Sequence, residues 1–119
     1  AVMGSTLAVL HWRCGVDAAG VEFFLGRDKR GKVRLWLLDF ADCRNVRITS
    51  QNVTTQLIDA VVENEPFWPR NINEDGFRHL WRGFRQAYLE MCGLLSEDVG
   101  VDDFGVLPQL FMNYLEDIS

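Results

Sequence analysis

Ten residues, Val33 to Asp42 (Val-Arg-Leu-Trp-Leu-Leu-Asp-Phe-Ala-Asp), constrain this chain more than any other stretch. Val33, Leu35, Trp36, Leu37 and Leu38 make a short apolar run of strand-forming residues, which predicts a buried strand. The carboxylate of Asp39 emerges at its end, beside Phe40. A charge against that much apolar surface is costly unless it is paired, hydrogen-bonded or metal-bound. Asp39 therefore caps a turn, pairs with an arginine or binds a metal, and its neighbours leave all three open. Trp36, Leu38 and Phe40 are expected to be buried between this strand and the helices that follow. An apolar strand ahead of amphipathic helices has no other way to hide its faces.

Around this strand the chain reads in order. Val2, Met3, Leu7, Val9 and Leu10 suit a helix with one buried face over Met3 to Trp12, ended at Gly15. Asp17-Ala18-Ala19-Gly20 is a turn. Val21 to Gly26 is a second strand, and the charged link Arg27 to Lys32 joins it to Val33–Phe40 as an antiparallel hairpin. Thr49 or Ser50 caps a helix that carries Val53, Leu57, Ile58, Val61 and Val62, runs to about Asn64 and is stopped by Pro66 and Pro69. A long helix opens at Asn73-Glu74-Asp75, with Phe77, Leu80, Trp81, Phe84, Tyr88 and Met91 on one face and Gly93 at its close. Arg78, Arg82 and Arg85 share a face of it, by default a solvated one. An acidic linker over Ser96–Asp103 precedes a last short helix in Val106 to Ile118, starting after Pro108 or running across it.

Length and charge bound the partners. The 119 residues make one domain, 48% hydrophobic, with four Trp and eight Phe to fill a bulky core. A net charge of −5 argues against broad contact with nucleic-acid phosphates or anionic lipid. Neither nucleic acid nor membrane is expected as a partner, which leaves a protein. Cys14, Cys43 and Cys92 are odd in number and widely spaced, so free thiols in an intracellular compartment, cytoplasmic or nuclear, are expected. No apolar run reaches membrane-spanning length. The opening Ala-Val-Met-Gly lies inside a helix already under way, which predicts a piece of a longer protein.

A helix, a turn bearing Asp17, a hairpin and a strand ending in Asp39-Phe40 resemble the catalytic core of kinase C-lobes and of aminoglycoside-phosphotransferase-like enzymes. The resemblance implies Asp17 as catalytic base, Glu22 as a metal ligand where those enzymes carry Asn, and Asp39 as the ligand that holds Mg²⁺ or Mn²⁺ against ATP phosphates. On that layout the three carboxylates converge on one edge of the hairpin. The chain departs from the pattern at Gly15, where His is usual, at Glu22 and at Ala41, which replaces Gly. Its residues include no Gly-rich loop, strand Lys or partner Glu, so Mg-ATP is a cofactor only if an N-lobe lies outside them. For the isolated chain no cofactor is expected.

Leu7-Ala8-Val9-Leu10-His11-Trp12, Val16-Asp17, Val21-Glu22-Phe23 and Leu35-Trp36-Leu37-Leu38-Asp39-Phe40 resemble recurring segments of a fungal family of domains of unknown function described as zinc finger proteins. Structural zinc needs two close ligand pairs. His11 with Cys14 is one poor pair, while Cys43, His79 and Cys92 are scattered, so zinc is not expected and His79 and Cys92 are packing residues.

Together these readings predict an α+β fold, one antiparallel hairpin packed among about four helices, as in part of a kinase-like C-lobe. The expected function is a non-catalytic or degenerate kinase-like module acting in binding or scaffolding. The alternative is the C-lobe portion of an ATP- and Mg-dependent phosphotransferase.

Overall fold

A computed structural model describes residues 2–64, 68–69, 75–99 and 106–118. Helix α1 (Val2–Ala8) runs on without a break into a π-helical turn, Val9–Arg13. The wider turn lets three successive residues, Leu10, His11 and Trp12, all reach the core. Cys14 N–H bonds Val9 O at 2.9 Å, and Val16 N–H bonds Leu10 O at 3.0 Å across Gly15. Gly15 has φ +71°, so the expected glycine terminator is in place.

Strands β1 (Glu22–Arg27) and β2 (Val33–Leu38) pair antiparallel, Glu22 opposite Leu38 and Arg27 opposite Val33. Asp28 builds the turn between them. Its carboxylate accepts the N–H groups of Arg30 and Lys32 at 2.9 and 3.0 Å and meets the Arg34 Nε at 2.6 Å. The Arg34 guanidinium, helped by those N–H groups, holds the Asp28 carboxyl below its usual range. Gly31, at φ +76°, supplies the left-handed position.

After the hairpin, the Thr49 hydroxyl accepts the Asn52 N–H at 3.1 Å and starts a third segment. Helix α2 (Ser50–Asn52), a second π-helical turn (Val53–Leu57) and α3 (Ile58–Glu63) form one continuous rod. Helices α4 (Asp75–Val99) and α5 (Val106–Ile118) complete the described chain. Among the described residues the architecture is α+β, four helical rods and one hairpin, as the sequence predicts. None of the described helices is long and apolar enough to cross a membrane.

The core lies where α1 crosses α4. Leu7, Val53, Leu57, Trp68, Trp81, Phe84, Tyr88, Phe111 and Leu115 are all buried in one cluster. Only the base of the hairpin joins it, through Phe23 and Leu37, with the Phe23 ring edge-on to Trp68 at 5.7 Å.

Several expectations are corrected. Trp36 and Leu38 are 44% and 49% exposed because they share the ribbon face opposite Phe23 and Leu37, and only the Phe23–Leu37 face meets the core; Phe40, beyond the end of β2, is 48% exposed. Phe77 and Leu80 in the first turns of α4 are exposed too, and His79, expected as a packing residue, lies on that same solvated stretch. Gly93 does not close α4. Helix costs glycine only about 1 kcal/mol, and Leu95 beyond it still packs against the core. Ser96 to Val99 are therefore helical, while residues 100–103 of the expected linker lie outside the described residues. So do Pro66, Phe67, Asn73 and Glu74.

Candidate functional site

Residues on either side of the hairpin come back together at its base. Val16 and Asn45 form an isolated antiparallel bridge, flanked by Asp17 N–H to Arg44 O and Val46 N–H to Gly15 O, each 2.9 Å. Asp17 secures this closure. Its Oδ1 accepts the N–H groups of Ala19 and Arg44, both at 3.0 Å, and its Oδ2 accepts the Gln56 amide at 3.1 Å. The residue is only 4% exposed. Gln56 lies in the second π-helical turn and also donates to Asn45 O at 3.1 Å, so helix, loop and turn meet at one carboxylate.

This closure bounds an open cleft of about 1050 Å³. Asp17, Asp42, Asp59 and Glu63 line it, with Cys43 and the amides of Asn45, Gln56 and Asn64 between them and Arg44 as the cation. Asn64 fixes the wall by donating to Val21 O at 2.9 Å. The Cys43 thiol donates to Ala19 O at 3.6 Å. Burial first, and then the charges of Asp17, Asp42 and Asp39, push its pKa up, so Cys43 is a thiol near neutral pH and a poor nucleophile.

The three acidic residues singled out from sequence have different surroundings. Asp17 is inside the cleft wall. Asp39 follows β2 with φ +69°, a conformation uncommon outside glycine, and is exposed. Glu22 is exposed at the start of β1, and its pairing with Leu38 puts it at the same end of the ribbon as Asp39. Asp17 precedes β1 and Asp39 follows β2, so the backbone brings both to the base of the hairpin. Even so, among the described residues no group of three or more His, Cys, Asp or Glu is placed to hold a metal ion.

Asp42, Asp59 and Glu63 were not foreseen as site residues. Asp59 and Glu63 are four apart on a helix whose other face is apolar, a spacing that marks a shared exposed edge. Sequence alone could not show that the edge faces the loop after β2. A second unforeseen feature lies behind Asp17. Trp12 Nε1 donates to Tyr88 Oη at 2.7 Å, and Tyr88 Oη lies 2.7 Å from His11 Nδ1. Tyr88 Oη thus joins the indole and the imidazole in one buried hydrogen-bonded chain. Burial lowers the His11 pKa from 6.5 to about 3, against the opposing pull of the Asp17 charge and backbone.

Residues 35–99, more than half of the chain, match the model of the DUF3669 family, described as zinc finger protein. The chain belongs to this family of domains of unknown function. No curated protein and no solved structure matches it. The family's description implies zinc, and the residues of this DUF3669 chain do not fit a structural zinc site. His11 is committed to Tyr88, His79 is exposed on α4, and Cys14 is exposed at the end of the first helical segment. Cys92 is in the apolar core, where burial pushes its thiol up to about 12, and a thiolate ligand is disfavoured there.

Proposed function

We propose that this domain is a non-catalytic, degenerate kinase-like module that acts in binding or scaffolding. The observation that carries the reading is the state of Asp17. A catalytic base must reach a substrate proton, whereas this carboxylate is buried and accepts three hydrogen bonds that close the hairpin base. The helix, Asp turn, hairpin and Asp-Phe order supports descent from a kinase-like C-lobe. Exposed Phe24 and Trp36 on one face of the ribbon, and Leu25 and Leu35 on the other, support surfaces used for contact. A fungal source goes with the segments that carry the family resemblance, and three free cysteines support an intracellular setting.

The test is a phosphate-release assay on the purified chain with Mg-ATP or Mn-ATP, paired with unfolding of Asp17→Asn. The reading expects no turnover and a variant destabilised by roughly 2–4 kcal/mol from weakened hydrogen bonds to a charged acceptor. Turnover that disappears in an Asp17→Asn variant of unchanged stability would overturn it.

The positive φ of Asp39 favours a second reading, since backbone strain of this kind collects at functional sites. Here the chain is the C-lobe portion of an ATP- and Mg-dependent phosphotransferase, with Asp17 as base and Glu22 and Asp39 as metal ligands. Paramagnetic broadening of amide signals around Asp39 by Mn²⁺, lost in Asp39→Asn, is its expected signature. Broadening indifferent to that substitution would remove the metal role.

A further inference from the structure

The hairpin bears unpaired positive charge at its tip, and the cleft at its base bears unpaired negative charge. At the tip, Asp28 is occupied with the turn backbone and Arg34, and Arg27 donates to Gly31 O at 2.8 Å. Lys29, Arg30 and Lys32 remain exposed, with no side-chain partner among the described residues. On the cleft, Asp42, Asp59 and Glu63 are exposed and likewise unpaired among the described residues. The two sets cannot meet within one molecule. The cleft is built from Ala19 and Gly20, which lead into β1, and from Ala41 to Asn45, which lead out of β2. A ribbon of six-residue strands holds its tip roughly 20 Å from that base.

We propose that a second copy of this chain supplies the missing partner: two hairpins lie antiparallel, each tip seated in the acidic cleft of the other. This rests on the binding reading above and names its partner. Pairing of Phe24 with Trp36 and of Glu22 with Leu38 places Phe24, Trp36 and Leu38 on one face, between tip and base. A Cβ on Gly26 would lie 3.3 Å from the Trp36 ring, so the missing side chain lets the indole settle against the strand and keeps that face low. Across a two-fold axis the face meets its own copy. A half-exposed large apolar side chain offers on the order of 100 Å², so these three supply roughly 300 Å² of the ~800 Å² per partner typical of a stable interface. Tip and cleft supply the rest. Because the exchange is reciprocal, it closes as a dimer and does not propagate into a filament.

Sedimentation equilibrium of the purified chain tests this, over a range of protein and salt concentrations. The expected result is a monomer–dimer equilibrium that weakens as salt screens the tip–cleft pairs. Lys29→Glu with Arg30→Glu, and separately Asp59→Lys with Glu63→Lys, should each lower dimer affinity roughly 100-fold or more by setting like charges together. Mixing the two variants should restore a dimer, since each tip then meets a cleft of opposite sign. All four positions are exposed, and circular dichroism melts confirm that the variants fold. A wild-type chain that stays monomeric, charge-reversed variants that dimerise like wild type, or a mixture that stays apart overturns the proposal. So does a monomer whose tip binds anionic lipid vesicles instead. The phosphate-release assay on the same samples separates the failures: a monomer without turnover defeats self-association alone, while Asp17-dependent turnover defeats the binding reading beneath it.

Discussion

Tyr88 stands between Trp12 and His11, accepting the indole N–H of one and sharing a 2.7 Å hydrogen bond with Nδ1 of the other. Burial raises the Tyr88 pKa well above 10 and lowers that of His11, so both stay neutral across the physiological range. The His11 shift has a definite consequence for acid stability. Between pH 6.5 and about 3 the unfolded chain binds a proton at His11 that the folded chain does not. Stability therefore falls as pH drops through that window, by at most about 5 kcal/mol when the full shift is expressed. Unfolding free energy measured against pH should show this one-proton slope in the wild type. Comparison with His11→Gln isolates it, because the variant should lack that contribution while keeping those of the carboxylates. Equal slopes in the two proteins would show that His11 is not held neutral.

At the scale of elements, the α1–α4 crossing depends on a residue with no side chain. A Cβ on Gly4 would run into the Phe84 carbonyl oxygen and come within 3.0 Å of the Tyr88 amide nitrogen. Both obstacles are backbone and cannot swing aside. Alanine would gain up to about 1 kcal/mol in helix propensity, but overpacking costs roughly 1–3 kcal/mol, so Gly4→Ala should lower the melting temperature. A raised one would mean that the helices can separate freely. The hairpin answers to a different rule. Leu38→Ala should cost less than about 1.5 kcal/mol because the side chain is half exposed, whereas Leu57→Ala, fully buried, should cost about 2–5 kcal/mol. Denaturant midpoints of the two variants check the ranking, and equal losses would place Leu38 in the core after all.

Over the whole molecule, stability is distributed unevenly. Helices α1, α4 and α5 share the buried cluster, while the ribbon beyond Phe23 and Leu37 is held by its own cross-strand bonds and the Asp28 turn. Few buried apolar contacts mean a low local opening energy. Amide hydrogen exchange on the dilute chain should therefore be slowest in α4 around Phe84 to Tyr88 and distinctly faster from Phe24 to Trp36. Hairpin amides as protected as those of α4 would show that the ribbon opens only with the core. The same unevenness leaves cations at the tip free to meet a separate molecule.

Local chemistry made much of this legible from the sequence alone. The glycine end at Gly15, the Thr49 cap, the hairpin and the presence of a last helix before Ser119 follow from periodicity, capping and turn residues, all of which act over a few positions. What the tertiary structure decided depends on distant partners. Asp17 is a buried anchor because Arg44 and Gln56 reach it from 27 and 39 residues away, and His11 is neutral because Tyr88 meets it from 77. Trp36 and Leu38 read as core because an apolar strand demands cover, yet the helices cover only the Phe23–Leu37 face of the ribbon. Pattern specifies which face of an element is apolar. Only packing determines whether anything stands against it.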